Sequence, residues 1–227
     1  VKVFDQDYAK AAILNEALNQ ARVEETGLPI PAILEVTKIE GKWAIVSQHI
    51  KGKTLEQLML TEPDKYGEYM DRFVQTQIEV HKHTSPRLNP LREKLYRKIA
   101  ESDLNATTKY DLHARLAGMP KENALCHGDF NPSNVVIAED GTPYILDWAH
   151  ATQGNPLADV ARTYLLFWLS GDLKGAELDL KTYCEKADAA MQEVQQWMSI
   201  VAASRLTAGK EVEREFLLHW INVVNYV

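Results

Sequence analysis

Cysteine is scarce in this 227-residue chain: only Cys126 and Cys184 occur. Their wide separation fits neither a metal-ligand spacing nor a redox pair. A disulfide framework is therefore not expected, and a reducing cytoplasm is the default location. No apolar run approaches the roughly 20 residues of a membrane span; the longest, Tyr164 to Leu169, is far shorter. No signal peptide is visible, since Val1 opens directly into a strand-like Val-Lys-Val-Phe. That opening leads us to expect a longer native protein with upstream residues. Lys/Arg clusters and basic–aromatic stripes are also missing, and the net charge is −7, so a nucleic-acid partner is not expected. Acidity of this size speaks to solubility first and does not identify a cationic substrate.

What is present is an ordinary globular composition, 45% hydrophobic and 25% charged. Residues 1 to 4 read as a strand, and 7 to 25 as a helix. Leu14, Ala17, Leu18 and Ala21 fall at the spacing of one helical face. Gly27 closes that helix, and Pro29 and Pro31 prevent it from restarting. Two strands follow at 32 to 37 and 42 to 48, joined by a turn at Glu40-Gly41. Lys51-Gly52-Lys53 is the candidate boundary, after which Thr54 and Gln57 form a capping box. Beyond it the pattern is mainly helical, at 64 to 83, 89 to 102, 105 to 117, 155 to 170, 175 to 208 with a break, and 210 to 226. One β-rich interruption at 124 to 147 contains the hairpin signal Asp140-Gly141 between two apolar runs.

The chemistry-bearing residues lie in that interruption. The loop His127 to Asn134 places an acid, Asp129, and an amide, Asn134, between two strands; the next strand ends at Asp147. A hairpin can bring all three to one edge. Asn134 and Asp147 would suit Mg²⁺, which takes one or two protein oxygens and completes its shell with water and phosphate. Asp129 would then be free to orient or deprotonate a hydroxyl. Taken singly, each has a plainer reading: Asp129 to Asn134 is a turn composition, and Asp147 is a helix cap.

Residues Cys126 to Ile137 (Cys-His-Gly-Asp-Phe-Asn-Pro-Ser-Asn-Val-Val-Ile) resemble the catalytic loop of the aminoglycoside phosphotransferase family, relatives of protein and choline kinases. Tyr144 to Trp148 (Tyr-Ile-Leu-Asp-Trp) resembles that family's second metal-binding segment, and Gly154 to Arg162 the segment after it. The resemblance implies Asp129 as catalytic base and Asn134 and Asp147 as Mg²⁺ ligands. It also implies that His127 supports the loop and that Asp159 braces it, where the plainer reading is a first-turn acid favoured by the helix dipole. Val1-Lys2-Val3 resembles the strand whose lysine meets the ATP phosphates, and Glu16 holds the position of its partner carboxylate. Glu24 is a rival partner, and a solvated Lys2 is the bland alternative. Ile45 to Lys53 resembles the interlobe hinge, with Gln48, His49 and Ile50 as loose candidates for adenine contact. The glycine-containing loop that covers phosphate in this family has no counterpart in the sequence.

The implied fold is α+β and bilobal, protein-kinase-like. Residues 1–50 would form a partial nucleotide-binding lobe and 51–227 a helical catalytic and substrate-binding lobe. The expected activity is ATP- and Mg²⁺-dependent phosphoryl transfer to a small-molecule hydroxyl, with GTP an open alternative. Aminoglycoside, choline or ethanolamine, homoserine, sugar and macrolide acceptors all stay open, as does the oligomeric state. A non-catalytic nucleotide-binding module is the alternative, disfavoured because Lys2, Asp129, Asn134 and Asp147 are all retained. A metal-dependent hydrolase would need a His-rich or two-metal cluster, which the chain lacks. His81 and His83, two apart, cannot share a metal face on a helix and read as a helix end. Tyr164, Phe167 and Trp168 read as core, and so do Trp220 and Tyr226, for which lining a substrate pocket is the alternative. Residues 170 to 227 carry nine acids against six bases, too slight an excess to define an acidic acceptor pocket.

Overall fold

The computed structural model describes residues 1–222. Strand β1 (Lys2–Val3) leads into helix α1 (Lys10–Glu24), then strands β2 (Ile33–Ile39) and β3 (Lys42–Ser47). These strands form an antiparallel sheet of order β1-β3-β2, with Lys2 opposite Ile45. Helix α1 covers it through Phe4, Ile13, Ala17 and Ile45, a small buried cluster. Phe4, Ile13 and Ile45 contribute about 1.5–3 kcal/mol each and Ala17 less, too little for an independent core. The end of α1 and the segment after it are anchored elsewhere: Val23, Leu28 and Ile30 belong to the large core of the helical region.

The α1 face differs from the sequence expectation. Leu14 and Leu18 are 44% and 47% exposed, while Ile13, Glu16, Ala17, Asn19 and Val23 are buried. Polar residues take the inner stripe because each finds a partner there. Glu16 meets Lys2, Asn19 donates to the Ala149 carbonyl at 3.2 Å, and Gln20 donates to the Pro31 carbonyl at 2.6 Å. Hydrophobic periodicity misplaces the face when hydrogen-bonded polar side chains occupy it.

Strand β4 (Gly52–Thr54) follows, and the expected boundary residues Gly52 and Lys53 turn out to be strand. Helix α2 (Leu55–Thr61) then opens on a complete capping box: Gln57 N–H donates to Thr54 Oγ1 at 3.1 Å, and Thr54 N–H to Gln57 Oε1 at 3.0 Å. Helices α3 (Tyr66–His81), α4 (Leu91–Glu101) and α5 (Ala106–Gly118) precede strands β5 (Ala124–Cys126), β6 (Val135–Ala138), β7 (Pro143–Ile145) and β8 (Thr152–Gly154). Antiparallel pairing gives a sheet β4-β6-β7 and a pair β5-β8; β8 lies beyond the expected end of the β-rich stretch. The hairpin turn is closed by Gly141, in the left-handed region at φ +86°, and by Asp140, whose Oδ1 accepts from Thr142 N–H.

Helices α6 (Pro156–Ser170), α7 (Leu173–Ala187), α8 (Met191–Leu206) and α9 (Glu211–Asn222) complete the described chain. Gly171, at φ +84°, ends α6. Of the aromatics expected as core, Phe167 is buried, Tyr164, Trp168 and Trp220 pack partly buried against the core, and Tyr226 lies outside the described residues. No described helix is long and apolar enough to cross a membrane.

Candidate active site

Three segments converge where β5 ends and the β6–β7 hairpin returns. The loop after β5 carries His127, Gly128 and Asp129, and a 3₁₀ turn at Pro132–Asn134 leads into β6. Asn134 Nδ2 donates to the Asp129 carbonyl at 2.9 Å and approaches Asp129 Oδ2 at 3.4 Å. Asn131 Nδ2 makes the parallel pair at 3.0 and 3.5 Å. These amides fix the Asp129 backbone while leaving its carboxylate only lightly engaged. Leu146 N–H donates to the Asn134 carbonyl at 2.8 Å, which ties the loop to the residue before Asp147. Asp147 has left-handed backbone, φ 56° and ψ 70°. Its carboxylate accepts from Ala149 N–H at 3.4 Å.

Two fully buried groups hold this loop in place. His127 donates from Nε2 to the Leu146 carbonyl at 2.9 Å and accepts Asp129 N–H at Nδ1, 3.2 Å away. That donor–acceptor pattern is the neutral tautomer protonated at Nε2, so the ring works as a staple between the two loops. Asp159, in the first turn of α6, accepts three bonds: from Gly128 N–H at 2.7 Å, His127 N–H at 2.9 Å and His81 Nε2 at 3.1 Å. Burial alone would raise its pKa, but the His81 hydrogen bond and the His127 amide outweigh that and hold it below the ordinary carboxylate value. Gly128 sits at φ +79°, and an added Cβ would stand 2.7 Å from the His150 carbonyl oxygen. Only glycine follows this path without strain.

Lys2 reaches the same place from β1. Its Nζ lies 2.6 Å from Glu16 Oε1 and 3.4 Å from Asp147 Oδ2. Burial opposes its charge, yet the Glu16 hydrogen bond and the Asp147 charge raise its pKa overall. Glu16 is also raised, because burial outweighs the help it receives from Lys2, and Asp147 adds to the effect. A pair with an uncompensated desolvation cost positions a charge more than it stabilises a fold. Glu24, the rival, instead accepts Ile33 N–H at 2.8 Å and anchors β2.

The sequence pattern described as "Phosphotransferase enzyme family" (APH) matches residues 1–197, most of the chain. The chain belongs to the APH phosphotransferase family. It is accordingly a small-molecule kinase, a phosphotransferase with an alcohol group as acceptor. Among solved structures, a thermostable mutant of aminoglycoside phosphotransferase APH(4)-Ia, apo form, is 14% identical with TM-score 0.67, covering 97% of this chain and 92% of that one. A ternary complex of such a mutant with AMP-PNP and hygromycin B is 17% identical with TM-score 0.64, covering 91% and 79%. Choline kinase LicA from Streptococcus pneumoniae is 16% identical with TM-score 0.57, covering 96% and 84%. These likenesses establish the protein-kinase-like fold. No curated protein sequence matches the chain.

The residues this phosphotransferase brings together are Lys2, Glu16, Asp129, Asn134 and Asp147, with His127 and Asp159 beneath them. The side chains of Gln48 and His49 are exposed, Ile50 is half-buried, and none of them joins this cluster. Gln48 N–H is taken by the Ala32 carbonyl at 2.8 Å. The donor set fits Mg²⁺: Asn134 turns its amide nitrogen to Asp129, which leaves Oδ1 for a cation, and the 38% exposed Asp147 carboxylate makes only long contacts. No group of three or more His, Cys, Asp or Glu able to hold a metal occurs among the described residues.

Sequence reasoning missed His81, dismissed as a helix end. Besides Asp159, it contacts the Tyr183 hydroxyl at 2.7 Å through Nδ1. A lone His near a helix terminus gives no signal of such a partner, because Asp159 and Tyr183 are distant in sequence. Lys94 and Arg162, which border the loop from α4 and α6, were missed for the same reason.

Proposed function

We propose that the chain transfers the γ-phosphoryl group of ATP to a hydroxyl of a small molecule in an Mg²⁺-dependent reaction. Residues 1–50 would serve as the nucleotide-binding lobe and 51–227 as the catalytic and acceptor lobe. The observation that carries this reading is the convergence of Lys2 on Asp147, at 3.4 Å, beside the loop that presents Asp129. The lysine ammonium would hold the α- and β-phosphates and Glu16 would hold the ammonium. Asn134 and Asp147 would hold Mg²⁺, which when bound neutralises phosphate charge. The His49 and Ile50 backbone would meet the adenine. Asp129 would orient the acceptor hydroxyl and accept its proton as the oxygen–phosphorus bond forms and the bond to the β-phosphate oxygen breaks, releasing ADP.

The test is Asp129→Asn, assayed for ADP release against a panel of hydroxylated acceptors. Turnover should fall about 10²–10⁴-fold, the range for a positioned acid–base group, while the melting shift induced by Mg²⁺-ATP persists. Undiminished turnover would remove Asp129 from its role. Absence of any melting shift with Mg²⁺-ATP or Mg²⁺-GTP in the parent protein would overturn the nucleotide reading.

A further inference from the structure

A cavity of about 240 Å³ lies beside the loop that carries Asp129, between α4, α6 and α8. Gly128, the residue before the proposed base, forms part of its wall. Its walls are apolar where Leu91, Leu95 and Val201 face it, but its charged lining is basic: Lys94, Lys98, Arg162 and Arg205. This local sign is opposite to the net charge of the chain. Two of the four cations are already matched, Arg205 by Glu213 at 2.7 and 2.8 Å and Lys98 by Glu101 at 3.4 Å. The one acid in the lining, Asp159, is consumed by His81 and two backbone amides.

Arg162 stands apart. It lies one turn beyond Asp159 on the same face of α6, and its Nε is buried with no hydrogen-bond partner among the described residues. Burial and the charge of Arg205 push its pKa down to about 10, against the pull of Asp129 and Asp159; it remains a cation at neutral pH. Lys94, on α4, gives one hydrogen bond to the His150 carbonyl at 2.9 Å. Burial and Arg162 lower its pKa to about 8. Each cation is thus destabilised by its neighbours and by desolvation, and each keeps donors to spare. A guanidinium whose Nε is buried and unpartnered, with no direct ion pair among the described residues, is unfavourable until an anion enters, and apolar walls strengthen the attraction when one does.

We infer that the acceptor is an acid: a small hydroxylated molecule whose carboxylate or phosphate group sits between Arg162 and Lys94 while its hydroxyl faces Asp129. The inference rests on the proposed phosphoryl transfer for the placement of the hydroxyl, but the anion site stands on the cavity alone. The volume, below the roughly 300–1,000 Å³ of drug-sized pockets, suits a compact hydroxy acid. Polycations such as hygromycin B and quaternary ammonium compounds such as choline would meet like charge there.

The experiment is calorimetric titration of the full chain with D-glycerate, glycerol 3-phosphate, glycerol and choline, in the parent protein and in Arg162→Met, Arg162→Lys and Lys2→Met. Glycerate or glycerol phosphate should bind, the responding arm naming the anion; glycerol and choline should not. Arg162→Met should weaken that binding about 10–100-fold, the loss of a charge-assisted hydrogen bond, with Arg162→Lys recovering part of it and Lys2→Met leaving it intact. Circular dichroism of each variant guards against misfolding. Choline binding in preference to both anions, no anion binding, or anion binding lost in Lys2→Met but kept in Arg162→Met would each overturn the inference. The Mg²⁺-ATP melting shift is read separately, so failure of the acid site leaves the kinase reading standing, and the reverse.

Discussion

Asp159→Asn isolates the brace beneath the loop that carries Asp129, because it preserves shape and changes one acceptor into a donor. Asp159 offers two oxygens to three donors, at 2.7, 2.9 and 3.1 Å. An asparagine keeps one oxygen, so its amide nitrogen must face either Gly128 N–H or the His127 and His81 donors. One charge-assisted bond is lost, about 1.5–3 kcal/mol, and a buried N–H is left without a partner, about 1–3 kcal/mol. Relief from burying a carboxylate offsets part of this, leaving a net loss of about 3 kcal/mol. At about 2–4 °C per kcal/mol for a chain of this size, the melting temperature should drop about 6–12 °C. Urea unfolding at pH 7 measures the same loss directly. The folded pKa of Asp159 is depressed, so its contribution is complete above the unfolded value of about 3.9. It disappears as pH falls through the lower folded value, and the gap between parent and variant should close below about pH 4. A variant within about 0.5 kcal/mol of the parent at pH 7, or a gap that widens in acid, would refute the brace.

Lys2→Met should barely alter unfolding, since its ion pair is 47% exposed on the lysine side and such pairs are worth about 0–1 kcal/mol. The Mg²⁺-ATP melting shift should instead shrink sharply, and an unchanged shift would detach Lys2 from the nucleotide. Gly128→Ala forces a Cβ toward the His150 carbonyl at positive φ, at a cost of about 1–3 kcal/mol. Steady-state kinetics should show kcat falling more than KM rises, because the loop that moves presents the proposed base; a normal kcat would show that the loop tolerates the shift.

The site's components were unusually legible in the chain because they are sequence-local. His127 to Asn134 and Asp147 flank one hairpin with its turn at Asp140-Gly141, which alternation and turn residues reveal, while the roles expected of them came from the family resemblance. The Thr54–Gln57 capping box was readable for the same reason, its two hydrogen bonds spanning three residues. Strands β4 and β8 were not legible. Each is three residues long, too short for periodicity, and each exists through a partner elsewhere, β4 on β6 and β8 on β5. The buried face of α1 was misread because Glu16, Asn19 and Gln20 replace the apolar residues that periodicity seeks.

The sequence by itself determined the order of most elements and the local turns and caps around the Asp129 loop, since those depend on neighbours within a few positions. Only the tertiary structure decided what stands around them. It brought His81 of α3 under Asp159 of α6, turned Glu24 to the Ile33 amide, and gathered Lys94 and Arg162 from α4 and α6 at one cavity. The physical reason is range. Turn and cap preferences act over three or four residues, whereas desolvation and charge act through space, between side chains whose distance in sequence says nothing of their distance in the fold.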